Sequence, residues 1–248
     1  MVAAHPDDET IGAGAALPLF RRLLLVHVTD GAPRNGADAR AAGFATAAGY
    51  AAARRRELDA ALAAGGVSAE RAGLGAADQG ASARMAELAR ALADLLRRHG
   101  ARAVLTHPYE GGHPDHDAVA LCVHAAGSLL AREGADAPTV DEMAFYHAGP
   151  DGWVVGRFLP NGAPPTVAAL TEGERARKRA MLDAFATQAA TLARFPAADE
   201  AFRPAPAYDF AAPLHAGALL YERFPWGMDG ARWRRLAAAA RRDLALGT

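Results

Sequence analysis

The sequence predicts an α/β fold built on a mostly parallel, doubly wound sheet, and three observations carry that expectation. Strand-length apolar runs alternate with helical patterns over residues 1–147, in the order β-α-β-α-β-α-β-α-β. Residues 22–29 (RLLLVHVT) form a near-continuous apolar run, as in a strand covered on both faces. Two of the helical patterns end at glycine, at Gly65-Gly66 and at Gly100. Parallel neighbours of this kind are joined by right-handed crossovers. A chain of 248 residues, 51% hydrophobic and 22% charged, suffices for one sizeable core. The expected organisation is one domain over 1–248, with the doubly wound core at 1–150 and an α+β extension at 151–248 packed on it.

The elements follow in order. Residues 2–4 are the first strand and run straight into His5-Pro6-Asp7-Asp8-Glu9. Residues 10–19, rich in glycine and alanine, read as a short helix close to the sheet. Residues 22–29 are the second strand, and Asp30-Gly31-Ala32-Pro33 is turn chemistry. Residues 34–50 are weakly periodic, so a long loop or short helices are expected. A helix over about 51–64 presents Leu58, Ala61 and Leu62 on one face. Residues 71–75 are a third strand, followed by a loop holding Asp78. Ser82 is expected to cap a helix reaching His99, with Met85, Leu88, Leu92, Leu95 and Leu96 as its stripe. Residues 101–106 are the fourth strand, and residues 107–112 a glycine-rich loop. Pro114 suits the first turn of a helix to about Arg132. Residues 140–147 are the fifth strand. Beyond them lie short strands at 153–158 and 166–169 and a helix over about 171–195. Its inward face is Met181, Leu182, Phe185, Leu192 and Phe195, with Lys178 and Gln188 expected to snorkel at its edges. A proline-rich segment (202–213), an apolar run (218–221) and a last helix (229–246) complete the chain.

Composition narrows the classes of function. The formal net charge of −1 points to neither nucleic acid nor membrane surface as a partner. The single Cys122 excludes internal disulfides and cysteine-based zinc ribbons. It shares an apolar stripe with Val119, Val123 and Ala126 and reads as a small core residue. No stretch has the length of a membrane span, and charge occupies the place of a leader's apolar segment. A cytoplasmic protein is the expectation, and homo-oligomers are compatible with it.

Chemistry concentrates in two clusters. His5, Asp7, Asp8 and Glu9 follow the first strand, and His113-Pro114-Asp115-His116-Asp117 follows the fourth. An acidic turn or a helix cap explains either one alone. Two at the same carboxyl edge of one sheet are not explained so simply, and ligands bind at that edge. Catalytic zinc takes three ligands from histidine and carboxylate. His5 and Asp8, with Pro6 stiffening the loop between them, and His116 supply such a set. Asp7 stays free to take a proton from water, whose pKa a metal lowers to roughly 7. His113 would stabilise an oxyanion or protonate a leaving group, with Asp115 orienting its ring.

Ala4-His5-Pro6-Asp7-Asp8-Glu9 together with Gly112-His113-Pro114-Asp115-His116, and also Thr29-Asp30-Gly31, resembles the PIG-L/LmbE-like zinc-dependent N-deacetylases over roughly the first 150 residues. The resemblance implies a Rossmann-like three-layer α/β/α fold with a mostly parallel sheet. It implies Zn2+ on His5, Asp8 and His116, with Fe2+ or another divalent metal as the alternative. It implies Asp7 as general base and His113, assisted by Asp115, at the transition state. Arg54 and Asp78 would contact substrate. The implied reaction is hydrolysis of an N-acetyl amide, a non-peptide C–N bond, on an N-acetylated amino sugar such as an N-acetylglucosamine derivative. The alternatives are an amidase removing a larger acyl group or cleaving a thiol conjugate, and a non-catalytic zinc-containing binding module. Some members of the family carry a tyrosine two residues before the position of His113, where this chain has Gly111, with Tyr109 nearby.

The remaining histidines and tryptophans carry weaker expectations. His27 reads as a core or near-site histidine, His107 and Glu110 as flanks of the site loop within reach of substrate. His124 is two turns beyond His116. His147 and His215 are candidates for the pocket, and Trp153, Trp226 and Trp233 are packing residues or sugar platforms.

Overall fold

In the amino-terminal half each strand is followed by helix, as the alternation predicts. The computed structural model describes residues 1–247. Strand β1 (Val2–Ala3) leads to α1 (Asp8–Ala13), β2 (Leu24–Pro33), α2 (Ala37–Ala41), α3 (Ala47–Gly65) and β3 (Glu70–Asp78). Then come α4 (Met85–His99), β4 (Ala103–Thr106), α5 (Pro114–Arg132) and β5 (Thr139–Met143). A hairpin of β6 (Tyr146–Gly149) and β7 (Gly152–Val155) precedes β8 (Thr166–Ala169), α6 (Glu172–Asp183), α7 (Ala189–Leu192), β9 (Asp199–Pro204) and α8 (Gly230–Asp243).

Strands β1, β2 and β3 form one parallel ladder, with Val2 opposite Val26 and Leu24 opposite Glu70. Strands β4 and β5 form a second, extended by antiparallel β9 and β8. The ladders meet at β1 and β4 without main-chain pairing. Thr106 Oγ1 donates to the Val2 carbonyl (3.0 Å), and the Ala4 amide donates to His107 Nε2 (3.1 Å). Side by side the order is β3-β2-β1-β4-β5-β9-β8. The chain moves outward one way from β1 and the other way from β4, so their following loops flank the point where the order reverses, the usual place for a ligand crevice.

Strand β2 shows why the apolar run was readable. Val26 and Val28 pack toward α4, α5 and α8, with Leu88, Leu92, Val119, Cys122 and Trp233. Leu23 and Leu25 pack toward α3 and α6, with Leu58, Leu62, Met181 and Phe185. Helices thus cover both faces, and Cys122 sits fully buried in the first layer.

Five expectations change. Strand β2 runs through the expected turn to Pro33, with register shifts after His27 and Thr29 that bend its end toward Asp78. Ser82 lies in a 3₁₀ turn and caps nothing; its hydroxyl donates to the Pro114 carbonyl (3.0 Å). The helix over 171–195 breaks where Phe185 leaves helical torsions (φ −89°, ψ 66°). Strand β9 escaped the pattern because two of its charged side chains, Glu200 and Arg203, point inward. Glu200 pairs with Lys178 (2.7 Å) and Arg203 with Glu142 (3.0 Å). Lys178, expected at the edge of its stripe, is 1% exposed.

Candidate metal centre

Both clusters leave their strands at the reversal point, and local chemistry aims them at each other. Pro114 opens α5 at its first turn, where no intrahelical N–H is required. His113 is the N-cap, its Nδ1 accepting from the Asp115 amide (3.1 Å). His116 lies in the first turn of α5. Opposite it, Asp8 opens α1, and its Oδ2 accepts from the His5 amide (2.7 Å), closing the loop around Pro6.

His5 Nδ1 is 3.3 Å from Asp8 Oδ2 and 3.3 Å from His116 Nε2, and His116 Nε2 is 3.4 Å from Asp8 Oδ1. A four-coordinate zinc with bonds of about 2.0–2.1 Å needs donors about 3.4 Å apart along each edge. The His5–His116 edge has that spacing, while the two Asp8 edges end on different oxygens, Oδ2 toward His5 and Oδ1 toward His116; as a donor set the two imidazoles and the carboxylate fit a divalent cation. The other His5 nitrogen, Nε2, lies 3.2 Å from Asp78 Oδ1 and 3.3 Å from Asp115 Oδ2, the carboxylate support that metal-binding histidines use. Asp78 Oδ1 also lies 3.7 Å from His113 Nε2. The wider cluster holds more donors than one ion takes. His5, His113 and His116 also converge, as do Asp8, His107 and His116.

Charge in this closed site is unbalanced. Burial works against ionised Asp8, but His116, His107 and His5 hold its carboxyl well below the usual range. Burial likewise opposes Asp78, which His5 and His113 pull down. Burial alone would lower His5, yet Asp78 and Asp8 hold it well above an ordinary imidazole. Burial pushes His113 and His116 down to about 3. His113 and His116 are neutral imidazoles, and the positive charge that the carboxylates draw onto His5 is one that a bound cation would supply in place of its proton.

Asp7 sits beside this set, 5% exposed. Burial pushes its carboxyl up to about 8, with the Arg54 guanidinium opposing and Asp8 adding to the rise. Arg54, expected at the substrate, is placed against Asp7. Its Nη2 donates to Asp7 Oδ2 (2.8 Å) and the Pro6 carbonyl (2.6 Å), and Nη1 to the Gly31 carbonyl (2.9 Å). Gly31 has φ +66°, and a β-carbon there would stand 2.9 Å from the guanidinium. The glycine of the Thr-Asp-Gly turn thus makes room for Arg54.

Several expectations are redirected. Asp115 does not hold the His113 ring. Its carboxylate accepts from the Gln79 (2.6 Å) and Ala81 (3.0 Å) amides and faces His5, because His113 Nδ1 is already engaged as the helix cap. The His113 proton therefore sits on Nε2, on a ring kept neutral by burial. His107 is 0% exposed and stacks on His116 with centroids 4.2 Å apart, so it buttresses that ring from within the core. Glu110 is buried against Arg203 and the Leu159 amide. Tyr109 packs on Trp233 in the core, and the Trp233 indole donates to the Pro114 carbonyl (3.1 Å). His124 rests against Tyr208 and Phe210. His147 is buried, its Nδ1 beside the Ala148 carbonyl, and His215 Nδ1 accepts from the Gly217 amide.

Tyr146, which the sequence does not single out, and Trp226, expected as packing or a sugar platform, wall the site. Tyr146 lies 5.3 Å from the His116 ring and Trp226 4.7 Å from the His113 ring. Trp226 stacks on Phe224, and Tyr146 meets Trp153. A tyrosine inside an apolar strand and a tryptophan in a proline-glycine loop carry no local signal of such placement. A separate cavity of about 830 Å³ opens at the opposite, amino end of the strands. Leu24, His99, Ala101, Ala103 and Asp141 line part of it, and it touches none of the cluster.

Among solved structures, the zinc-inhibited form of teicoplanin deacetylase Orf2 superposes with a TM-score of 0.60 at 18% identity, covering 82% of this chain and 96% of that one. The N,N'-diacetylchitobiose deacetylase of Pyrococcus horikoshii gives 0.54 at 18%, covering 83% and 82%. The 4-carboxy-2-hydroxymuconate hydratase GalB of Pseudomonas putida gives 0.60 at 20%, covering 84% and 97%. At such identities the likeness speaks for the fold, which hosts more than one reaction. No curated protein matches the chain significantly. The family model described as GlcNAc-PI de-N-acetylase matches residues 1–127, the half that carries both clusters, and the chain belongs to the PIG-L family of deacetylases.

Proposed function

We propose that the chain is a metal-dependent hydrolase that removes an N-acetyl group from an amino sugar or a similar N-acetylated small molecule. The observation that carries this reading is the convergence of His5, His116 and the two oxygens of Asp8 within 3.3–3.4 Å, with the Asp7 carboxylate beside them. His5, Asp8 and His116 would hold zinc or another divalent ion. When bound, such an ion supplies Lewis acidity toward a carbonyl oxygen and toward water.

The protein's own groups do the rest. Asp7 would take a proton from water once its carboxyl is ionised, a form that burial disfavours and that Arg54, and a cation bound beside it, would favour. Only its Oδ2 is tied to Arg54, which leaves Oδ1 without a protein partner among the described residues. Arg54 bears on the substrate through Asp7. His113 offers an Nε2–H donor to the oxygen on which charge develops. The amine then departs with the proton Asp7 has taken up. Asp78, whose Oδ1 faces His5, would offer its other oxygen to a sugar hydroxyl.

The test begins with the metal content of protein purified without added metal, followed by assay of that sample against N-acetylglucosamine-type substrates. Asp7→Asn is expected to keep the metal and lose activity by about 10²–10⁴-fold, whereas His116→Ala loses both. Undiminished turnover in Asp7→Asn sinks the base assignment. Mass spectrometry of products separates acetyl removal from removal of a larger acyl group or cleavage of a thiol conjugate. A metal-loaded protein inert toward every N-acyl amine tried is a binding module.

A further inference from the structure

Asp7 is the N-cap residue of α1, and it does not cap. Its carbonyl accepts from the Thr10 and Ile11 amides (2.9 Å each), as an N-cap carbonyl should, but its side chain accepts nothing from the helix. The reason is its backbone, with φ at +134° and ψ at −27°. Aspartate rarely adopts such a torsion, and the surroundings must hold it there. The rotation takes the carboxylate away from the helix amides, its normal partners, and sets it against Arg54.

Glu9 is what remains to hold the turn. Its Oε2 accepts from the Asp7 amide (3.0 Å), so a side chain two residues on satisfies the N-cap N–H, half of a capping box with the register shortened by one. The same oxygen lies 3.0 Å from His27 Nε2, and Oε1 accepts from the Thr10 hydroxyl (2.7 Å). Glu9 is 0% exposed and His27 is 7% exposed on β2. Neither residue touches the His5, Asp8 and His116 donors. A buried glutamate whose hydrogen bonds end on the backbone of the strained residue, and which the second strand anchors, has little reason to be there for packing alone.

We infer that the Glu9–His27 pair is a positioning device that locks the Asp7 backbone in its strained torsion, so that the carboxylate serves the centre instead of capping α1. The consequence for rate rests on reading Asp7 as the base; the torsion itself does not. A crystal structure of Glu9→Ala reads the torsion directly. The expected result is Asp7 relaxed to negative φ with its carboxylate accepting from a first-turn amide of α1. Steady-state kinetics on the same protein should show kcat down about 10–100-fold, with KM and metal content unchanged. Glu9→Gln keeps an oxygen for the Asp7 amide and should retain kcat within about threefold of the parent. An unchanged Asp7 torsion in Glu9→Ala overturns the inference, as does equal loss in Glu9→Gln or loss of metal in step with kcat. If Glu9→Ala does not fold, His27→Ala removes only the anchor of the carboxylate and should show the same kcat-against-KM split; parental kcat there overturns it. A fully active Asp7→Asn would remove the base assignment while leaving the torsion measurement to decide the lock.

Discussion

Lys178→Met probes how α6 is fastened to the sheet. Lys178 Nζ donates to Glu200 Oε1 (2.7 Å) and to the Ile11 carbonyl (2.8 Å). Glu200 also accepts from the Ala15 (2.8 Å) and Ala16 (3.1 Å) amides, so one pair ties α6, β9 and the end of α1 together. Burial pushes the Lys178 ammonium down and Glu200 pulls it back. Both side chains are 2% exposed, so solvent screening hardly weakens the contact. Removing one partner of a buried pair costs about 3–5 kcal/mol, because the other charge is left uncompensated. Glu200 keeps two amide donors, which places the expected loss near the lower end, about 3 kcal/mol. For a chain of this size that lowers Tm by about 6–12 °C. The variant leaves the buried Glu200 carboxylate without its cation. Lys178→Met with Glu200→Gln, which removes both charges and keeps an acceptor for the amides, should recover most of the loss. Thermal unfolding of the parent, the single and the double variant followed by circular dichroism at pH 8 measures all of this. A single-variant loss under about 1 kcal/mol at pH 8, the range of an exposed ion pair, would refute the reasoning and restore the snorkelling lysine.

Other outcomes follow from the same structure. Zinc at about 100 times its Kd should stabilise the protein by about 2.7 kcal/mol, and His116→Ala should abolish the Tm increment; an increment that survives His116→Ala places the ion elsewhere. Burial pushes Glu110 up to about 8 and Glu142 to about 7, with Arg203 opposing both. Their folded values lie above the unfolded one, so the stability they contribute is full below about pH 4.5 and lost as pH rises toward 8. Arg203→Met should steepen that loss, to about 3 kcal/mol or more at pH 8; parallel urea-derived pH profiles for parent and variant would count against it. Burial pushes the Cys122 thiol up, and its Sγ faces the Met85 carbonyl. Labelling of native protein with a thiol reagent should run no faster than unfolding, and prompt labelling would contradict the buried placement.

Much of the fold and half of the site were readable because their signals are local. Val26 and Val28 face one helical layer while Leu23 and Leu25 face the other, so a strand covered on both sides announces itself as an unbroken apolar run. Strand β9 was unreadable because the inward Glu200 and Arg203 are charged, and a charge is buried only when its partner arrives from a distant element. The same holds for Lys178.

His5, Asp8 and His116 stood out as donors because their residue types and their places after two strands are properties of the chain itself. Which nitrogen of each ring meets which carboxylate is not. Asp115 serves His5 instead of His113 because α5 spends the His113 Nδ1 on its own first turn, a choice made when the helix forms against the Gln79 and Ala81 amides. Asp7 is distinguished from Asp8 by a backbone rotation that no sequence pattern encodes, maintained by Glu9, His27 and Arg54 from three directions. By itself the sequence determined the chemistry on offer and the sheet edge that carries it, since both follow from residue type and periodicity. Only the tertiary structure decided which atoms face one another and which carboxylate stands free, because burial and hydrogen-bond competition between distant segments set those outcomes.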